Sequence, residues 1–116
     1  MTEEQHKKLE RALEAMGHTH TLADIIDAIQ LGHMQSFTED DTWVVTQIIQ
    51  TPRKRILEIV MLVGEMSEAE QLHDRVMNYA IENGCALVRT FARDGWRRKA
   101  REYGWKNGYS VFLMEV

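Results

Sequence analysis

Ile56-Leu57-Glu58-Ile59-Val60-Met61-Leu62-Val63 is the run that decides the fold. Every residue in it except Glu58 is apolar, and four are β-branched. Such a run suits a central strand covered on both faces. Downstream, Ala69, Leu72, Val76, Tyr79 and Ala80 share one face of a helix spanning Ser67 to Asn83. Ser67 and Glu70 have capping-box spacing at its start, and Asn83-Gly84 supplies its stop. Ala86 to Phe91 then reads as a second strand. Strand, helix, strand in this order is a crossover, which predicts two parallel strands joined with right-handed sense.

Reading upstream, Trp43 to Gln50 is rich in β-branched residues and predicts another strand. Pro52 suits the second position of a turn, and the short link to Ile56 implies an antiparallel hairpin. Met34 to Phe37 predicts a shorter strand before the polar turn Glu39-Asp40-Asp41. Thr2 with Gln5 opens a helix carrying Leu9, Ala12, Leu13 and Met16, stopped by Gly17. Thr21 caps a second helix, with Leu22, Ile25, Ile26 and Ile29 on its apolar face. At the other end, Asp94 caps a short basic helix with Trp96, Ala100 and Tyr103 inward and Gly104 as its stop. Tyr109 to Val116 predicts a final strand. The pattern is α/β: two N-terminal helices, an antiparallel meander, a βαβ crossover, a late helix and a C-terminal strand, in one domain over 1–116.

With 116 residues and 44% apolar content, the chain can bury one core. Its single Cys rules out an intrachain disulfide. The acidic start Met1-Thr2-Glu3-Glu4 does not read as a secretory signal, and no apolar run approaches the roughly 20 residues of a membrane helix. The net charge of −4 is unevenly divided. Residues 86–116 hold seven Lys or Arg against three acids, while the rest is strongly acidic. The basic helix offers polyanion contact through Arg97, Arg98 and Arg101, or simply a solvated face. His18-Thr19-His20 and His33 lack a companion Cys or carboxylate set that would complete a tetrahedron, so no metal site is expected. Cys85 reads as a small buried hydrophobe.

The order of elements, with the late helix ending Tyr103-Gly104-Trp105, resembles the GNAT N-acetyltransferase superfamily. A closer similarity is to small GNAT-like proteins of tailed bacteriophages and prophages. It rests on His20-Thr21-Leu22-Ala23-Asp24, on residues 46–55 from Thr46-Gln47-Ile48 to Arg53-Lys54-Arg55, on Asn83-Gly84-Cys85 and on Arg93-Asp94-Gly95-Trp96. The resemblance implies a phosphate-binding loop between the central strand and the crossover helix. In this sequence that junction is Val63-Gly64-Glu65-Met66-Ser67, with one glycine and an acid. It also implies a Tyr four residues before the late-helix Gly, where this chain has Ala100. For an enzyme, Glu58 would be the base, Tyr103 or Tyr109 the acid, and the backbone at Val63, Gly64 and Met66 would hold acetyl-CoA. Glu58 equally suits an ion pair with Arg53, Arg55 or Arg89. The departures at 63–67 and at Ala100 imply an inactive GNAT-fold protein without cofactor. It would act through contacts with other phage or virion proteins, in the host cytoplasm and in the virion, as an oligomer or part of an assembly. The alternative is an acetyl-CoA-dependent N-acetyltransferase acting on a host or phage amine.

Overall fold

The computed structural model describes residues 2–91, 97–106, 108 and 111–116. Among them run α1 (Glu3–Ala15), α2 (Leu22–Gln30), β1 (Gln35–Glu39), β2 (Thr42–Gln50), β3 (Arg55–Val63), α3 (Met66–Glu82), β4 (Leu87–Thr90) and α4 (Arg97–Glu102). The strands form one sheet in the order β1-β2-β3-β4. β1, β2 and β3 are antiparallel neighbours, and β4 lies parallel to β3. The mixed α/β order expected from the sequence is therefore present.

Both N-terminal helices start where the sequence signals them. Thr2 Oγ1 accepts the Gln5 N–H at 3.1 Å while Gln5 Oε1 accepts the Thr2 N–H at 2.8 Å. Thr21 and Asp24 repeat the exchange at 3.1 and 2.8 Å. The Thr21 backbone N–H, and after it the Thr21 hydroxyl, hold the Asp24 carboxyl below its ordinary value. α3 departs from expectation. It begins at Met66 with Glu65 in the cap position and no side-chain cap bond, so Ser67 and Glu70 form no capping box. Ser67 is the second residue of the helix rather than its cap, and the Glu70 carboxylate instead meets Lys99 Nζ at 2.8 Å.

Each face of the sheet carries its own core. On one side Leu9, Leu13 and Ile25 of α1 and α2 pack on Val45, Met61 and Val63. On the other, Leu72, Val76 and Ala80 of α3 pack on Val44 and Leu57. A fully buried side chain such as Leu57 contributes about 1.5–3 kcal/mol. Cys85 sits half-buried beside the second core.

One irregularity shapes the centre. Thr46 pairs with Ile59 and Val45 with Met61, so Val60 has no partner on β2. This β-bulge puts Val60 and Met61 together on the α1 side, where strict alternation would separate them. β4 pairs only with Ile56–Ile59. Beyond the bulge, Val60–Val63 therefore has no strand along its β4-side edge among the described residues.

Residues 111–116 make no strand pairing. The expected final strand falls partly on Tyr109 and Ser110, which lie outside the described residues, as do Asp94 and Trp96. Leu113 lies against Gly17 at the end of α1. Among the described residues, no helix is long and apolar enough to cross a membrane.

Candidate functional site

Opening β3 away from β4 leaves a trough of about 570 Å3 under α1. Its floor runs along β3 from Glu58 through Val60 to Gly64. Lys8, Arg11 and His20 stand on the helical side, and Phe91, Val111 and Leu113 close the β4 side. A second, smaller cavity of about 110 Å3 lies on the opposite face, between α3 and α4. Leu62, Met66, His73, Ala100, Tyr103 and Trp105 line it. Thr90 borders both spaces, so they meet the same gap in the sheet from its two sides.

Glu58 enters the trough because β3 carries it on the α1 face. In register beside it is Arg89 of β4, and opposite it is Gln47 of β2. Arg89 donates to Glu58 Oε2 from Nε at 3.1 Å and from Nη2 at 2.6 Å. Gln47 Nε2 reaches Oε1 at 3.4 Å. Of the ion pairs the sequence allows, the one with Arg89 forms. It is a charge-assisted, two-point contact that fixes the carboxylate. A base must be free to take a proton from an incoming group. Here one oxygen is already doubly engaged, and the other faces the trough with a long amide contact.

The turn into α3 is filled from inside. Gly64 has φ +136°, and a Cβ there would sit 2.2 Å from Thr42 Oγ1 and 2.5 Å from Thr42 Cα. Buried Thr42 Oγ1 accepts the Glu65 N–H at 2.9 Å and donates to Glu68 Oε1 at 2.8 Å. Lys8 Nζ meets Glu65 Oε1 at 3.5 Å. A diphosphate cradle needs open backbone N–H groups and positive potential at a helix start. Of the N–H groups at this turn, that of Glu65 is already bonded to a hydroxyl, and the carboxylates of Glu65 and Glu68 stand beside the helix start and oppose an anion there. The residues present do not fit a CoA pyrophosphate.

Ala100 and Tyr103 belong to the other face. Tyr103 stacks on His73 with ring centres 4.6 Å apart. Burial pushes its phenol above the ordinary value, and the nearby Glu70 carboxylate pushes the same way. Both effects make it a weaker proton donor. Trp105 Nε1 donates to His73 Nε2 at 3.0 Å. That nitrogen therefore accepts, and His73 Nδ1 carries the ring hydrogen and faces Asp74 at 3.5 Å. Lys99 bridges Glu70 and Glu102, at 2.8 and 3.1 Å. The Lys99 bond holds the Glu70 carboxyl below its ordinary value, and Lys99 itself is raised by Glu70 and then Glu102. The result is a clasp that fastens α4 to α3.

The sequence-derived candidates thus divide between two faces. Glu58, Val63 and Gly64 border the trough, while Met66 and Tyr103 border the small cavity. Tyr109 lies outside the described residues. The proposed base and the placed acid do not face a common space. Sequence reading missed Thr42, Lys8, His73 and Trp105, whose contacts join residues 23 to 57 positions apart. No local pattern announces them. Arg98 and Arg101 are exposed on α4. Among the described residues, no three His, Cys, Asp or Glu side chains gather at metal-ligand spacing.

No protein-family model and no curated protein matches the chain. Solved structures do. An acetyltransferase from Trypanosoma brucei superposes with a TM-score of 0.65 at 14% identity, covering 95% of this chain and 94% of that one. A tetramutant of the BH1408 protein from Bacillus halodurans gives 0.67 at 13% identity, over 97% and 90%. Glucosamine-6-phosphate N-acetyltransferase from Arabidopsis thaliana gives 0.57 at 12% identity, over 100% and 94%. At these identities the likeness concerns the fold alone. With the bulged central strand, the crossover helix and the late helix in place, the chain has a GNAT-like, acetyltransferase-type fold.

Proposed function

We propose that this GNAT-fold chain does not transfer acetyl groups and works through protein contacts, as a virion component or assembly factor of a tailed phage. The reading rests on one observation above all: the α3 entry turn is packed by Thr42 and ringed by Glu65 and Glu68 where a diphosphate would have to sit. Ala100 in place of the usual Tyr, and Glu58 engaged by Arg89, support it. The phage origin is inferred from the sequence segments quoted above. On this reading the partners are other phage proteins, encountered in the host cytoplasm and retained in the particle. Arg98 and Arg101 provide an exposed basic contact for an acidic partner or polyanion, with Arg97 on the same helix. Calorimetry and thermal-shift measurement with millimolar acetyl-CoA and CoA test the inactive reading. Neither heat nor stabilisation is expected, and saturable binding would overturn it. Mass spectrometry of purified particles tests the virion role, which absence from the particle would remove.

A second reading, an acetyl-CoA-dependent N-acetyltransferase, is favoured by the edge Val60–Val63, unpaired towards β4 among the described residues, above a trough that begins at Glu58. It would need the Glu58–Arg89 pair to open and the Thr42 packing at Gly64 to rearrange. Acetylation of an amine panel that disappears in Glu58→Gln would establish it.

A further inference from the structure

We propose that the contact between His73 and Trp105 is an acid-released latch, which holds the chain just beyond α4 against α3 only while the His73 ring is neutral.

The chemistry of the two rings sets this condition. An indole N–H donates and cannot accept. Trp105 Nε1 donates to His73 Nε2 at 3.0 Å, so Nε2 keeps its lone pair and Nδ1 holds the ring hydrogen. A proton entering the ring has Nε2 as its only site. Once Nε2 bears hydrogen, two donors face each other and the bond to Trp105 is gone. The latched state therefore binds one proton fewer than the released state, and falling pH drives release. A histidine ordinarily changes charge at about pH 6.5, within reach of physiological acidification.

The surroundings admit the proton. The His73 side chain is 20% exposed, so the ring can exchange protons with solvent. The side chains facing it are Glu70 and Asp74 of α3, with Lys99, Glu102 and Tyr103 on and just after α4. Asp74 Oδ1 stands 3.5 Å from Nδ1 and becomes an ion-pair partner for the imidazolium. Lys99 is held between Glu70 and Glu102, at 2.8 and 3.1 Å, so its charge is compensated. The Tyr103 ring, centred 4.6 Å away, attracts a cation through its π-system. Val44, Ile59, Leu62 and Thr90, the strand residues lining the same cavity, carry no charge. Of these neighbours, the Trp105 indole is the one that a charged ring turns away.

Release has a defined extent. The N–H groups of Tyr103, Gly104 and Trp105 bond back to carbonyls of Ala100 and Arg101, within α4 itself. His73 supplies the side-chain tie that carries Trp105 across to α3. α4 stays fastened through Lys99 and Glu70, whose carboxyl gives way only in stronger acid. Trp105 also walls the α3–α4 cavity, so its departure removes one side of an apolar space. The inference goes beyond the proposed function and does not depend on it; its failure would leave the acetyl-CoA calorimetry unchanged.

The test uses the full chain, isotope-labelled at nitrogen for NMR. Three Trp give three indole signals, and Trp105→Phe identifies the one from Trp105. At about pH 8 the His73 ring should be in its Nδ1–H form, with Nε2 bare. Between about pH 8 and about pH 5 the Trp105 indole signal should move upfield in one step, in phase with protonation of His73. His73→Gln keeps an acceptor that does not titrate, so it should keep the wild-type far-UV circular dichroism and lose the step. An Nε2–H ring in the wild-type protein at the upper pH overturns the proposal, whatever the variant does. So does a Trp105 signal that stays in place across the range, and so does a step of equal size in His73→Gln.

Discussion

Gly64→Ala tests whether the α3 entry turn is as closed as its geometry states. Two costs combine. At φ +136° a residue with a Cβ occupies a region essentially reserved for glycine, which costs about 1–3 kcal/mol. The new Cβ also falls 2.2 Å from Thr42 Oγ1, 2.5 Å from Thr42 Cα and 2.7 Å from Thr42 Cβ, inside any van der Waals contact. Forcing β2 and the turn apart costs a further amount on the order of 1–3 kcal/mol. The total is about 2–6 kcal/mol. For a chain of 116 residues each kcal/mol lowers the melting temperature by about 4 °C, so a drop of about 8–24 °C is expected in a thermal melt. Gly32→Ala is the control. Its φ is +80° with nothing within 4 Å of the added Cβ, so only a backbone cost of about 1–2 kcal/mol applies. Adding Thr42→Gly to Gly64→Ala should recover part of the loss but not all, because the Thr42 Cα remains in the way. If Gly64→Ala melts within about 2 °C of wild type, or no lower than Gly32→Ala, the turn has room and the case against a phosphate there fails.

Other outcomes follow from the same contacts. Thr42→Val keeps the shape but orphans the Glu65 N–H and removes a donor from Glu68; a loss of about 1–3 kcal/mol is expected in urea titration. Arg89→Met leaves the Glu58 carboxylate, only 13% exposed, without its partner, and should destabilise by about 1–3 kcal/mol, with much of the loss recovered in Arg89→Met/Glu58→Gln. Because the folded Glu70 carboxyl lies below its ordinary value, its contribution is complete above the unfolded value, about 4.3, and fades as pH falls through the lower folded value. Amide protection factors in 97–102, referred to the intrinsic exchange rate at each pH, should therefore fall in acid, and Glu70→Gln should abolish that dependence. Trp105→Phe removes the indole donor to His73 and should raise exchange in the same helix without lowering the global melting temperature by more than about 4 °C.

The fold was legible because its signals are local. Thr2/Gln5 and Thr21/Asp24 close their caps within three residues, and the apolar run of β3 with the α3 periodicity specifies a crossover without tertiary information. The turn at 63–67 was also legible in part, since its single glycine and Glu65 are visible in the chain. What filled it was not. Thr42 lies 23 residues from Glu65 and reads as the end of a polar loop. The Ser67–Glu70 box failed because the helix takes its cap two residues earlier, at Glu65, whose N–H is held by the distant Thr42; Glu70 meets Lys99, 29 positions downstream, only through the fold. Glu58 was correctly identified as the polar interruption of β3. Its partner was one of three arginines until the parallel register of β3 and β4 selected Arg89.

The bulge at Val60 makes β3 two strands with separate loyalties. Up to Ile59 its alternation is set by β4, and beyond Met61 by the helices above. The extra residue acts as a phase slip between them. Deleting Val60 would close the slip and leave Met61, Leu62 and Val63 on the faces they already hold, with Ile59 and Met61 in consecutive register opposite Thr46 and Val45. A one-residue deletion there would thus cost the contacts of Val60 with the α1 core and the local bend, while both cores stay in register; isosteric substitution at Val60 should be mild. The extra residue supplies curvature to the strand, and the facing of the residues beyond it does not depend on it.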